Sequence, residues 1–321
     1  MLRPRDVASA RALIAPHIVR TPCVRSSWLS RVTGHDVWLK LESLQPTHSF
    51  KVRGAVHAVA RRAAVAPRGF VTASAGNHGA ALAYAARAAG VPVTVFAPST
   101  APGTKRDKIR GLGARLIDTC ANYDDAEHAA VAHAAETGAV FVSPYNDPDV
   151  VCGQGTMALE ILEDVARCDA IVVPVGGGGL ASGVALAVAG VQPRVDVFGI
   201  EPAVNPAFTE ALRAGAITTI PVVDTVADGL GGNMQEGSIT FGLVRDFGVA
   251  ISLAPEDAIA HAIGDLAAHE HLLAEGAAAT AVAGLLGGAV PGTGRTVVVV
   301  LTGANIDLAR LRQVIDARGS A

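Results

Sequence analysis

The chain has 321 residues, 50% of them hydrophobic and 17% charged, with a formal net charge of -3, which gives it the apolar material for a packed core and the length for two lobes. The absence of a basic excess or of any lysine- or arginine-rich run argues against nucleic-acid and anionic-membrane partners, and no apolar stretch reaches the ~20 residues of a membrane span. The opening MLRPRDVASARALIAPHIVR has neither an uninterrupted apolar core nor a small-residue cleavage site, so a soluble, cytoplasmic protein is expected.

From about Asp36 onward, short β-branched runs alternate with Ala-rich segments of helical period, the pattern of an α/β fold with a largely parallel sheet. DVWLKLE is the first predicted strand, and PTHSFKVRG follows it. The chain contains only four lysines, Lys40, Lys51, Lys105 and Lys108. An arginine stays protonated at working pH, whereas a shielded lysine can lose its proton and act as nucleophile or base. Lys51 is therefore a candidate reactive amine, against the simpler reading of a surface lysine at a helix start.

The next predicted strand, GFVTAS, runs into Ser74, Ala75, Gly76, Asn77 and His78 and then an Ala-rich helix from Gly79 to Ala89. Ser74 can cap that helix, and the N–H groups of its first turn can equally receive a carboxylate. VPVTVFAP, ARLIDT and AVFVSP continue the strand series. The strand-plus-helix units from about Gly69 to Pro144 can close a small sheet of their own, leaving the first ~65 residues and the last ~180 to form a larger one. The segment Pro148 to Val165 then reads as a crossover helix.

The strand AIVVPVG enters Gly176, Gly177, Gly178 and Gly179 and a small-residue helix start. Such a turn can aim several N–H groups and a helix dipole at one point, making an anion cradle suited to a phosphate. Glycines also permit close helix packing, so the ligand is not named by them. Gly176-x-Gly178-x-x-Ala181 fits a variant dinucleotide fingerprint, with Glu201 ending the strand VDVFGIEP ~20 residues on, where it could hold a ribose hydroxyl of NAD. That reading leaves Lys51 and the Ser74–His78 turn without a task. His269 and His271, spaced i, i+2, read as solvated helix residues. The last predicted strand, in TVVVVLTGANID, ends at Thr302, Gly303 and Asn305, where a hydroxyl could bond a ligand ring atom or cap the final helix. Cys23, Cys120, Cys152 and Cys168 form no Cys-x-x-Cys pair and are expected as reduced packing residues.

Taken together, LESLQPTHSFKVRGA, SAGNHGAALAYAA, CGQGTMALEIL, PVGGGGL and LTGAN resemble, in order and across nearly the whole chain, the fold-type II pyridoxal-phosphate enzymes of the threonine/serine dehydratase and serine racemase branch. The resemblance implies an α/β, two-lobed fold like that of the tryptophan synthase β chain, each lobe an open, mostly parallel twisted sheet flanked by helices. Residues 1–65 and 145–321 would form the large cofactor-binding domain and residues 66–144 the small domain. It implies pyridoxal 5'-phosphate as cofactor, bonded to Lys51 with Phe50 beside its ring. Asn77 would meet its phenolic oxygen, Gly176, Gly177, Gly178, Gly179 and Leu180 its phosphate, and Thr302 its ring nitrogen. Glu275, in LLAEGAAAT, matches a family glutamate near the cofactor, although Gly276 stands where proline usually follows. Ser74, Ala75, Gly76, Asn77 and His78 would bind the carboxylate of a small amino-acid substrate. The implied activity is dehydration and deamination of a β-hydroxy amino acid such as L-threonine or L-serine, by a homodimer, with a serine racemase or another β-elimination or β-replacement enzyme of the same family as the alternative.

Departures from the family pattern narrow this. Ala75 stands where the racemase carries its second acid/base serine, which favours elimination over racemisation. Ala207 stands where metal-binding members place an acidic partner to the glutamate matched by Glu201, so no metal is expected. The chain stops soon after LTGANID, without the regulatory module of biosynthetic threonine deaminases, which argues against their kind of feedback control. DGLGGNMQEGSITF departs most; its LGG is reminiscent of the hydroxyectoine-utilisation dehydratases, and the preferred β-substituted amino acid, including 3-hydroxyaspartate, stays open.

Overall fold

The computed structural model describes residues 2–74 and 76–318. Its strands are β1 (Cys23–Arg25), β2 (Asp36–Leu41), β3 (Phe70–Ala73), β4 (Val93–Pro98), β5 (Arg115–Cys120), β6 (Val140–Phe141), β7 (Ala170–Pro174), β8 (Asp196–Pro202), β9 (Ala250–Ala254) and β10 (Thr296–Leu301). Its helices are α1 (Pro4–Ile14), α2 (Ser27–Thr33), α3 (Lys51–Arg62), α4 (Asn77–Ala89), α5 (Gly103–Gly111), α6 (Tyr123–Thr137), α7 (Pro148–Asp164), α8 (Gly179–Val188), α9 (Ala207–Ala214), α10 (Ile239–Asp246), α11 (Glu256–Asp265), α12 (Gly276–Leu286) and α13 (Leu308–Arg318).

The strands form two sheets. The larger has the order β1-β2-β10-β7-β8-β9, with β1 antiparallel to β2 and the remaining pairs parallel. The smaller, β5-β4-β3-β6, is parallel throughout. Each strand expected from the sequence forms. The sequence reading missed β1 and β9: the first has only three residues, and the second lies half-exposed at the sheet edge, so neither shows a continuous apolar run.

Helices cover both faces of the larger sheet, which is why β7 and β10 are apolar at nearly every position. Alternation splits them: Ile171, Val173, Val298 and Val300 join the core on one face, and Ala170, Val172, Val297, Val299 and Leu301 the core on the other. Side chains of β3 divide between the two cores of the smaller sheet in the same way, Phe70 to one and Val71 and Ala73 to the other.

Two devices hold α3, and with it Lys51, in place. The fully buried Arg53 donates to both oxygens of Glu42 and both of Glu160 at 2.8 Å, and Lys40 donates to Glu160 at 2.6 Å. These charges compensate one another inside the fold, where a single one would be costly. The second device is backbone contact along α7. A β-carbon on Gly153 would lie 2.6 Å from the Arg53 carbonyl oxygen, and one on Gly155 would lie 2.4 Å from that of Gly183. The glycines of CGQGT thus let α7 touch α3 on one side and α8 on the other.

Both histidines are exposed, as expected, but only His269 is helical. His269 belongs to a π-helical turn over Leu266–Glu270 and stacks on Trp28 with centroids 4.8 Å apart, while His271 lies past that turn with φ 56°. The indole gives the His269 ring a packing partner that spacing alone does not reveal. Cys152 and Cys168 are buried, Cys23 and Cys120 half-buried, and all four are free thiols.

Candidate active site

The turns after β3, β7 and β10 open into one cavity, together with the first residue of α3. Phe50, Lys51, Ser74, Gly76, Asn77, His78, Gly176, Gly177, Gly178, Gly179, Leu180, Glu275 and Thr302 all line it. Ala75 lies outside the described residues. Parallel strands deliver their carboxyl ends to one edge, and helix N-termini follow there, so residues far apart in sequence converge.

Lys51 begins α3, and its Nζ donates to the Pro144 carbonyl at 2.9 Å and stands 5.1 Å from the Phe50 ring centroid. Burial lowers its pKa to about 8, against the opposing charge of Glu275. Backbone bonds fix this amine relative to Thr302: the Phe50 N–H donates to the Thr302 carbonyl at 2.9 Å, and Ser49 pairs with Gly303.

In the turn after β3 the Ser74 hydroxyl accepts from the Gly76 N–H at 3.2 Å, and α4 starts at Asn77 with Gly76 as its cap. The expected helix cap by Ser74 is therefore not made; its side chain closes the turn ahead of the helix. Asn77 Nδ2 donates to Glu275 Oε1 at 2.6 Å. The buried His78 ring bonds the Val142 carbonyl through Nε2 at 3.2 Å, an acceptor that requires the proton on that nitrogen. Burial, with Lys51 nearby, lowers its pKa to about 3, so the ring is neutral.

Gly178, at φ +81°, caps α8 and offers no side chain to its first N–H groups, which point to the cavity end of the helix. The packing role of these glycines is also realised: a β-carbon on Gly177 would lie 2.3 Å from the Tyr145 ring and one on Gly178 2.5 Å from Phe208. Thr240 Oγ1 donates to the Gly177 carbonyl at 2.7 Å, so the segment around Asn233–Ser238 buttresses the turn, and Ser238 caps α10. Gln235 joins in by donating its N–H to the Tyr145 hydroxyl at 2.8 Å.

Glu275 is the N-cap residue of α12, but its side chain makes no bond to that helix; its carboxylate faces Asn77, and burial raises its pKa to about 7. Gly276 has a steric cause, since a β-carbon there would meet the Val226 carbonyl oxygen at 2.0 Å. Thr302 is buried, and α13 begins only at Leu308 with Asp307 accepting from the Ala309 N–H, so the threonine does not cap it.

The ribose-binding reading of Glu201 fails on geometry. Its oxygens accept the N–H groups of Phe208 and Thr209 at 2.7 and 2.8 Å and the Thr209 hydroxyl at 2.7 Å, at the start of α9. Among the described residues no cluster of three or more His, Cys, Asp or Glu is placed to hold a metal, and no helix is long and apolar enough to cross a membrane. Sequence reasoning missed Lys105, Asp228, Tyr123, Tyr145 and Asn233, which also line the cavity. An ion pair joins Lys105 to Asp228. The scarcity of lysine that singled out Lys51 applied equally to Lys105.

The sequence profile described as pyridoxal-phosphate dependent enzyme matches residues 14–303. The chain is 40% identical over 317 residues to an L-threonine ammonia-lyase of Thermotoga maritima, covering 98% of this chain and 79% of that protein. Maize serine racemase superposes with a TM-score of 0.90 at 31% identity, over 99% of this chain and 98% of that one. The processed form of threonine deaminase isoform 2 from Solanum lycopersicum gives 0.91 at 29% identity, over 98% and 93%.

Proposed function

The chain belongs to the family of pyridoxal-phosphate-dependent enzymes, and from that premise we propose that it is an ammonia-lyase acting on a β-hydroxy amino acid such as L-threonine or L-serine. The product is a 2-oxo acid and ammonia. The observation that carries this reading is the Lys51 amine, with its pKa lowered to about 8, in the same cavity as an uncapped helix N-terminus and the Ser74–His78 turn. The similarity to an L-threonine ammonia-lyase and a threonine deaminase supports the same chemistry.

The residues fit the cofactor. Gly176 to Leu180 and the free N–H groups of α8 suit its phosphate, Lys51 its carbonyl carbon, and the Thr302 hydroxyl its ring nitrogen. When bound, pyridoxal phosphate supplies an electrophilic carbon for amines and a conjugated ring that takes up negative charge from Cα. The chain's own residues do the rest. Backbone N–H groups at the start of α4, which no side chain caps, orient the substrate carboxylate, and the neutral amine of Lys51 removes the Cα proton. Cα would lose its proton and Cβ its hydroxyl, together one water, and the enamine left would tautomerise to an imine that takes up one water to give the 2-oxo acid and ammonia. His78, neutral beside Lys51, adds no charge to compete with that amine. The side chain of Ala75, at the position matched to the racemase's second acid/base serine, has no acidic hydrogen to return a proton, which disfavours racemisation. We place the cofactor-binding domain at residues 1–65 and 145–321, the small domain at 66–144, and the enzyme in the cytoplasm as a homodimer.

The test is a panel of β-substituted amino acids scored for 2-oxo acid and ammonia, with Lys51→Ala alongside. Wild type is expected to purify yellow and to release 2-oxo acid from L-threonine or L-serine. The variant is expected to keep its far-UV circular dichroism and lose both properties. D-serine formed as fast as pyruvate would replace the lyase reading with a racemase, and product release by Lys51→Ala would remove the reading altogether.

A further inference from the structure

A chain of hydrogen bonds runs from α5, beside the smaller sheet, to Glu275. Lys108 Nζ donates to Asn305 Oδ1 at 2.6 Å and to the Thr47 carbonyl at 2.8 Å. Asn305 Nδ2 donates to Thr47 O at 3.0 Å and to Asn77 Oδ1 at 2.7 Å. Asn77 Nδ2 in turn donates to Glu275 at 2.6 Å.

The order of donors and acceptors along this chain is dictated by its ends. An ammonium group can only donate, and a backbone carbonyl can only accept. Asn305 must therefore turn its oxygen to Lys108 and its nitrogen to Thr47, and that nitrogen can meet only the oxygen of Asn77. The Asn77 amide is left with its nitrogen on the other side. Of its two hydrogens one goes to Glu275, and the second has no partner among the described residues, in a side chain that lines the cavity.

We propose that Lys108 and Asn305 are positioning residues that hold the Asn77 side chain with its amide nitrogen, not its oxygen, presented to the cofactor. Without them only the bond to Glu275 orients the amide, and a protonated Glu275 can donate as well as accept, so the amide can turn and offer a lone pair where a donor is needed. Neither residue touches the reacting atoms; both act through Asn77. The inference rests on the cofactor reading above.

The test uses the full chain stripped of cofactor and titrated with pyridoxal phosphate, following its dissociation constant and the position of the visible absorbance band. Asn305→Asp replaces a donor by an acceptor of nearly the same shape. It is expected to weaken cofactor binding about ten-fold, the order of one net hydrogen bond to a charged or polarised group, and to move the band. Lys108→Met keeps the apolar stem and removes the charge; it should shift both readouts in the same direction by less, and Lys108→Arg should return them toward wild type. If Asn305→Asp does not fold, the Met and Arg variants of Lys108 decide by themselves. Variants that melt earlier but bind cofactor and absorb like wild type would reduce both residues to a structural role and overturn the proposal. Failure of the wild-type chain to take up pyridoxal phosphate would overturn the cofactor reading and this inference with it, whereas normal loading of wild type and variants alike would overturn this inference alone.

Discussion

Lys51 and Glu275 share a cavity, and burial drives each toward its neutral form, the lysine to a pKa of about 8 and the glutamate to about 7. Only a neutral amine bonds a carbonyl carbon. The rate at which the cofactor-free chain captures pyridoxal phosphate should therefore rise with pH and level off with a midpoint near 8. Stopped-flow absorbance across pH 6–10 measures it, and a rate still climbing without a plateau at pH 10, as the ordinary lysine value of 10.5 requires, would show that the site does not shift Lys51. For Glu275 the sign runs the other way from that of a salt-bridged carboxylate. Between pH 4.5 and about 7 the folded chain binds more protons than the unfolded one, so stability falls as pH rises through that window, and the whole cost is present above it. Glu275→Gln is expected to be more stable than the cofactor-free wild type at pH 8, by up to ~3 kcal/mol, and equal to it below about pH 4.5. Urea unfolding at the two pH values tests this; a constant difference would mean that Glu275 is already ionised in the fold at ordinary carboxylate pH. Motif and resemblance made both residues legible in the sequence. Their shifts were not, because burial depends on side chains from other parts of the chain.

At the scale of elements, the placement of Lys51 depends on how α3 lies on α7. The CGQGT glycines gave a sequence signal without a stated task, and the structure supplies one. Gly153→Ala would put a β-carbon 2.6 Å from both the Arg53 carbonyl oxygen and the Gly54 Cα. Backbone cannot step aside as a flexible side chain can, so the cost should approach the upper end of the ~1–3 kcal/mol typical of overpacking, with weakened cofactor binding because α3 shifts. Gly242 makes the control. It lies within α10, and an added β-carbon meets nothing within 4 Å, so Gly242→Ala should be neutral or stabilise by up to ~1 kcal/mol. Equal effects of the two substitutions on urea unfolding would show that close approach of α7 to α3 does not govern the site. Strands such as β7 and β10 were readable because a buried parallel strand is apolar on both faces. The π-helical turn at His269 and the capping of α9 by Glu201 were not, since each is settled by a partner that the local pattern does not contain.

For the whole molecule, alternation of strand and helix patterns announced the two sheets, but nothing local announced how they face each other. The reason is visible in α5, whose residues reach across the cleft as single side-chain pairs: Lys105 to Asp228, Thr104 to Asp307 and Lys108 to Asn305, over sequence separations of 123, 203 and 197 residues. No periodicity encodes such contacts. They place three residues from the first two turns of one short helix against loops of the larger sheet, and the Lys105–Asp228 pair lies on the cavity wall. Pairs of this kind are weak one at a time and are screened by salt when solvent reaches them. Closure of the cleft should then be a local equilibrium, opening at less than the cost of global unfolding. The double variant Lys105→Met, Thr104→Val removes two of the three links, and amide exchange in residues 103–111 is expected to accelerate several-fold while that of β10, in the middle of the larger sheet, is unchanged. Raising the salt concentration to ~1 M should move wild type in the same direction by less, because the Debye length falls to ~3 Å and only the ion pair responds. If α5 exchanges at the wild-type rate in the double variant, packing against its own sheet holds that helix, and the cross-cleft pairs do not set how far the cavity opens.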